Sequence, residues 1–157
     1  MAGRITLRLR IAGAAIGLSG ALIAGHALAD PCHAIPDKGP APAWARAGYV
    51  VTGKARYIVD GDGLCVGPTG DPASWVEIRL ADLYAPELRA PGGAEARAAL
   101  VRLTDRQTLT CTAVRGDHGR VVSYDRLIAT CRIGGRSLAE LMRREGVRDG
   151  GRGFSGR

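Results

Sequence analysis

Apolar and polar positions alternate most cleanly between Trp75 and Ala81. Val76, Ile78 and Leu80 fall on one face, Glu77 and Arg79 on the other, and this predicts a β-strand with a solvated outer side. Upstream, strand-like sequence starts at Tyr49-Val50-Val51, resumes from Ala55 to Val59, and breaks at Asp60-Gly61-Asp62-Gly63, a run of turn residues. Leu64-Cys65-Val66 is the returning strand, and Gly67 to Ser74 a second loop with Pro68, Gly70 and Pro72. After Pro86 and Pro91 the period changes. Ala96, Ala99, Leu100 and Leu103 follow i, i+3, i+4, i+7, which predicts an amphipathic helix from Gly93 to about Leu103. Two more strands are expected near Thr108–Val114 and Arg126–Ile133. A second helix then opens on Ser137 and Glu140 as a capping box, buries Leu138, Leu141 and Met142, carries Arg143 and Arg144 in its last turn, and stops at Gly146. The glycine-rich tail from Arg148 to Arg157 has no period and is expected to wrap loosely.

Five short strands, one helix after the third and one at the end predict a mainly β protein: a five-stranded OB-fold barrel plus two packed helices. A ferredoxin-like sandwich needs a helix between its first two strands, and the DGDG turn leaves no room for one.

The N-terminus changes the picture. Arg4, Arg8 and Arg10 precede an uncharged apolar run from Ile11 to Leu28 that ends in the small-x-small pattern Ala27-Leu28-Ala29. This is the pattern of a secretory signal peptide over residues 1–29. Four glycines, a serine and a histidine interrupt the run, which argues against a retained membrane span. A Pro/Ala-rich arm follows over residues 30–47, and residues 48–157 form the single domain. The 157-residue chain has a formal charge of +7; losing the leader with its three arginines leaves +4. Nearly all the basic residues are arginine, whose planar fork suits phosphate. Export points to a periplasmic or secreted protein, and the four cysteines, all beyond residue 29, then point to disulfides. Cys111 and Cys131 face the same side if their strands pair, so a Cys111–Cys131 bridge is expected, and Cys32–Cys65 follows by elimination.

Three polar clusters carry candidate chemistry. Asp60-Gly61-Asp62 sets two carboxylates on a tight turn where both can approach a cation, although such a turn also serves simply as a hairpin. Arg79 is followed eight positions later by Glu87, and Tyr124-Asp125-Arg126 opens a later strand. Each alone has a bland explanation as a solvated surface charge.

In sequence they are more specific. IVDGDG from Ile58, RLADLYAPE from Arg79, YDRLIATC from Tyr124 and LAELMRREGV from Leu138 resemble the thermonuclease (staphylococcal-nuclease-like) family, whose pattern runs IDGDT, RL-x-G-x-D-A-P-E, Y-G-R-x-x-A and a final L-x-x-x-G helix. The resemblance spans about Tyr49 to Val147. It implies an OB-fold barrel and a secreted endonuclease hydrolysing DNA and/or RNA phosphodiesters with Ca²⁺; a monomer is expected. By position it implies Arg79 and Arg126 as catalytic arginines and Glu87 as the catalytic glutamate. Asp62, with Asp60 beside it and the backbone carbonyl of Ala85, would hold the metal. Arg120, in Asp117-His118-Gly119-Arg120, is the alternative second arginine. The chain departs from the pattern at Tyr84, where the family has a calcium-binding aspartate, at Gly63 for threonine and at Asp125 for glycine. Asp82, two residues before Tyr84, is the candidate substitute ligand. The competing expectation is a catalytically impaired OB-fold module of the periplasm that binds nucleic acid or another partner, with Trp75 and Tyr124 near its groove.

Overall fold

The structure is a computed structural model that describes residues 31–155. The leader expected over residues 1–29 lies outside the described residues. Seven strands and two α-helices follow the arm: β1 (Val50–Ile58), β2 (Gly63–Gly67), β3 (Val76–Leu80), α1 (Gly93–Thr104), β4 (Leu109–Ala113), β5 (Val122–Ser123), β6 (Arg126–Ile133), β7 (Arg136–Ser137) and α2 (Leu138–Arg144). A single 3-10 turn, Pro72–Ser74, lies between β2 and β3.

Strands β3-β2-β1-β4-β6 are joined edge to edge, all antiparallel, and β3 then pairs with β6 in parallel through Ile78↔Leu127, Arg79↔Ile128 and Leu80↔Ala129. That last pairing closes a five-stranded barrel of the expected OB type and leaves no long free edge. The two-residue strands β5 and β7 flank β6 and are too short to leave a periodic signal in the sequence.

Where the sequence pattern breaks between Val51 and Ala55, the structure has one continuous nine-residue strand. The break has two physical causes. Gly53 lies so close to the Gly67 carbonyl that a Cβ would collide with it, so β1 passes over the end of β2 only because Gly53 has no side chain. A bulge between Ala55 and Tyr57 then shifts the register, and Arg56 turns outward to donate to the carbonyls of Gly67 and Pro68 at 3.0 and 2.8 Å.

The core is filled by Leu64, Val66, Ile78, Leu80, Leu109 and Leu127 from the barrel, and capped by Leu100 of α1 and Leu138 and Met142 of α2. In α2, Ala139 is buried and Leu141 only partly so, a rotation of about one position from the stripe expected. Ser137 Oγ accepts from the Glu140 amide at 3.3 Å, as the capping box requires. Cys111 and Cys131 are direct cross-strand neighbours with Cα atoms 4.0 Å apart, and they are bridged; so are Cys32 and Cys65.

The outer face of β3 is not solvated as its alternation implies. Glu77 is buried, because the arm is pinned across this side by Cys32–Cys65, by the Ala34 amide donating to the Trp75 carbonyl, and by Ile35 in the core. The tail also differs from expectation. The amides of Gly150 and Gly151 both donate to the Tyr84 carbonyl at 2.9 Å, and a Cβ on Gly151 would strike the Ala85 carbonyl oxygen. The glycines there allow close backbone approach rather than looseness. Among the described residues no helix is long and apolar enough to cross a membrane.

Candidate active site

The parallel pairing that closes the barrel brings Arg79 of β3 and Arg126 of β6 to the same side. Arg79 faces Ile128 across the register, and Arg126 lies two residues before Ile128 on the same face. Between them opens a cleft of about 410 Å³ that also takes in Asp60, Asp62, Tyr84 and Glu87. The structure therefore gathers Arg79, Glu87, Arg126, Asp60 and Asp62 at one site. Arg120 does not line this cleft, and of the two arginines the sequence offers, Arg126 does. Trp75 is also elsewhere, packed on Gly67 with its indole N–H donating to the Thr69 carbonyl.

The DGDG turn builds one wall. Asp60 Oδ1 accepts from the amides of Asp62 and Gly63 at 3.0 and 2.6 Å, a local Asx-type turn that needs nothing from the rest of the fold. Asp62 is buried, and its Oδ2 accepts from the Ala85 amide at 2.8 Å and meets Arg79 Nη1 at 3.2 Å. Burial pushes the Asp62 carboxyl up to about 7, and the nearby Asp60 charge adds to the rise against the opposing pull of Arg79, the Ala85 amide and Arg126. Arg79 Nη1 also donates to the carbonyls of Leu80 and Leu83, so one end of the guanidinium is locked by three acceptors.

The opposite wall is looser. Glu87 sits on the loop before α1, where the Ala90 amide donates to its carbonyl at 2.7 Å. Its exposed side chain meets Arg152 Nε at 3.5 Å. Tyr124 is 86% exposed and held at φ 59°, with the Arg126 guanidinium 5.9 Å from its ring centroid.

Tyr84 joins the two walls. Its ring lies 5.2 Å from the Arg79 guanidinium carbon and stacks at a tilt on Phe154, and its hydroxyl donates to Asp117 Oδ2 at 2.8 Å. Asp149 Oδ1 accepts from the Tyr84 amide at 2.9 Å. Burial works to raise the Asp149 pKa, but Arg143 and the Tyr84 amide outweigh it and hold this carboxylate below its usual range. Asp117, His118, Arg115 and Arg152 complete the lining. Sequence reasoning assigned no role to Arg152, because nothing in a glycine-rich tail announces that it folds back over a cleft.

The oxygen donors here suit calcium poorly. The ion takes six to eight oxygens. Asp62 is engaged by a guanidinium and an amide, and burial raises its carboxyl well above the usual carboxylate range. The phenol of Tyr84 is turned to Asp117, and the Ala85 carbonyl is covered by Gly151. Asp82 points away from the cleft: its Oδ2 accepts from Ser137 Oγ at the start of α2, and its carbonyl accepts from Arg143. Among the described residues no group of three or more His, Cys, Asp or Glu is arranged to hold a metal ion.

No protein-family model matches the chain, and a search of curated proteins finds no match.

Proposed function

We propose that the protein is an exported phosphodiesterase that hydrolyses DNA and/or RNA in the cleft between β3 and β6, as the thermonuclease-like motifs imply. The observation that carries this reading is the convergence of Arg79, Glu87 and Arg126 on one cavity from three separate chain segments. Two guanidiniums and a carboxylate are the groups that in-line attack on a phosphodiester calls for. Charge builds on the equatorial oxygens as water adds, and a guanidinium offers paired donors with a charge that is never lost. Anchored through Nη1, Arg79 has its remaining donors for the phosphate and little orientational freedom to lose on binding it. Glu87 accepts the proton of the attacking water as the new P–O bond forms and the bond to the leaving oxygen breaks; the leaving oxygen takes a proton from solvent. Export fits the two disulfides, which persist in oxidising compartments. The reading assigns no step to calcium.

A binding-only reading rests on one specific observation, the phenol of Tyr84 in place of the family's aspartate. One assay separates the two. The purified protein is incubated with single-stranded DNA, duplex DNA and RNA, with Ca²⁺ or with chelator, beside Arg79→Gln and Glu87→Gln variants. The expected result is cutting that both variants lose. Cutting retained by both would remove the site assignment, and binding without cutting under every condition would establish the binding-only reading.

A further inference from the structure

A second cavity of about 530 Å³ opens beside the cleft, between the N-terminal arm and the loop joining β4 to β5. The two adjoin, since Arg115 and Tyr124 line both. Three arginines face this second cavity, Arg46 from the arm and Arg115 and Arg120 from the loop, against a single carboxylate, Asp37. Arg115 is tied to the Gly119 carbonyl at 2.7 Å and so braces the loop. Arg46 and Arg120 are exposed, and among the described residues neither side chain carries a hydrogen bond or ion pair. Cationic groups left unpaired around a concave surface focus a positive potential there.

We infer that this arm-lined cavity is a strand-binding subsite that takes the nucleotides of a single-stranded nucleic acid flanking the phosphate in the cleft. The inference rests on the phosphodiesterase reading and extends it to substrate class. Tyr124 lines both cavities, at the boundary between them. Its ring is largely in solvent, its backbone is in the left-handed region that disfavours a bulky side chain, and the Arg126 guanidinium lies beside it. A ring so placed offers a stacking face to a base passing from one cavity to the other. Successive phosphates then meet Arg115, Arg120 and Arg46, while Ile35 and Val122 give the bases an apolar floor. Backbone-tracking cations with an aromatic platform bind single strands without reading sequence. The subsite is built before the strand arrives, because Cys32–Cys65 and the buried Ile35 fasten the arm to the barrel.

The test measures fluorescence anisotropy of a thymidine dinucleotide and of a thymidine strand of about twelve units, within the span a barrel of this kind covers. Each is titrated into the full protein and into its Arg46→Ala/Arg120→Ala variant over a range of salt. The expected result is a long strand bound about tenfold more weakly by the variant, the effect of two lost charge contacts, with dinucleotide affinity unchanged. The slope of log affinity against log salt for the long strand falls by about 1.4, about 0.7 for each phosphate contact removed. An Arg46→Lys/Arg120→Lys variant restores most of both. Long-strand affinity and slope equal to wild type would overturn the inference, as would an equal loss for dinucleotide and long strand. Failure of the phosphodiesterase reading is distinguishable: it abolishes cutting and leaves the length dependence in place.

Discussion

The cleft and the arm-lined cavity share two residues yet are built on opposite electrostatic principles. The cleft sets four carboxylates, Asp60, Asp62, Glu87 and Asp117, among four arginines, and several of these groups are paired or hydrogen-bonded to one another. The neighbouring cavity has three arginines to one carboxylate, and among the described residues two of its guanidiniums have no partner. A balanced, internally bonded site has a weak long-range field but holds its groups in place, which is what positioning a reacting phosphate requires. An unbalanced, exposed site attracts polyanions but positions nothing. On the proposed reading, cutting and gripping are divided between neighbouring surfaces, so substitutions that impair one should spare the other.

The largest effect expected is on the cleft side. Arg79→Gln should lower the rate of strand cleavage by about 10² to 10³, the loss typical of removing one preorganised donor to a developing oxyanion. Its effect on long-strand affinity should be small by comparison. The substitution also leaves Asp62 buried without its ion-pair partner, so the double variant Arg79→Gln/Asp62→Asn should recover stability in urea unfolding without recovering cleavage. Recovery of both would mean that Arg79 acts only through folding.

Second in size is the arm. Replacing Cys32 and Cys65 together by serine opens a loop with a sequence separation of 33 residues, and should cost about 3–4 kcal/mol of unfolding free energy in the chain-entropy model. If the arm forms the gripping surface, strand affinity falls in this variant at temperatures where the barrel is still folded, as followed by far-UV circular dichroism.

Gly151 links the tail to the cleft. An alanine there drives a Cβ into the Ala85 carbonyl, and should destabilise by about 1–3 kcal/mol, the usual cost of overpacking. Because Arg152 follows immediately and meets Glu87, the same variant should alter cleavage while leaving the arm-lined cavity unaffected.

The last effect is a pH slope. The Asp62 carboxyl is raised from 3.8 to about 7 by folding, so the folded state holds its proton more tightly than the unfolded one. Its stabilising contribution is therefore fully present below about pH 3.8 and is lost as pH rises toward 7. Relative to wild type, Asp62→Asn should gain stability across this window at no more than about 1.4 kcal/mol per pH unit, measured by urea unfolding at several pH values. A parallel pH dependence of the two proteins would show that Asp62 titrates normally.

These differences also explain what the sequence could disclose. Leu127 to Ile133 was legible because its period-two alternation follows from one face being buried, while Val76 to Leu80 was legible from its residue alternation although the arm covers its outer face as well. The pairing of Cys111 with Cys131 followed from the same alternation. The gathering of Arg79, Glu87 and Arg126 was legible only as a resemblance of motifs, since the parallel β3–β6 pairing that juxtaposes them joins residues about 50 positions apart. The burial of Glu77, the folding back of Arg152 and the second cavity were not legible at all. Each depends on segments with no period, the Pro/Ala-rich arm and the glycine-rich tail, whose positions are set by a disulfide and by backbone contacts rather than by side-chain pattern. Asp82 departs from the extended-strand placement beside Tyr84: the chain turns after Leu80, and Asp82 Oδ2 meets Ser137 at the start of α2.

The central claim is that one carboxylate at the mouth of this barrel acts on the water that attacks a phosphodiester. Single-turnover cleavage of an end-labelled thymidine strand by wild type and by Glu87→Gln, at matched occupancy fixed by anisotropy, tests it most directly. The account predicts wild-type cleavage slowed by about 10² to 10⁴ in the variant at equal binding. Equal cleavage rates in the two proteins, or no cleavage by wild type at full occupancy, would contradict it.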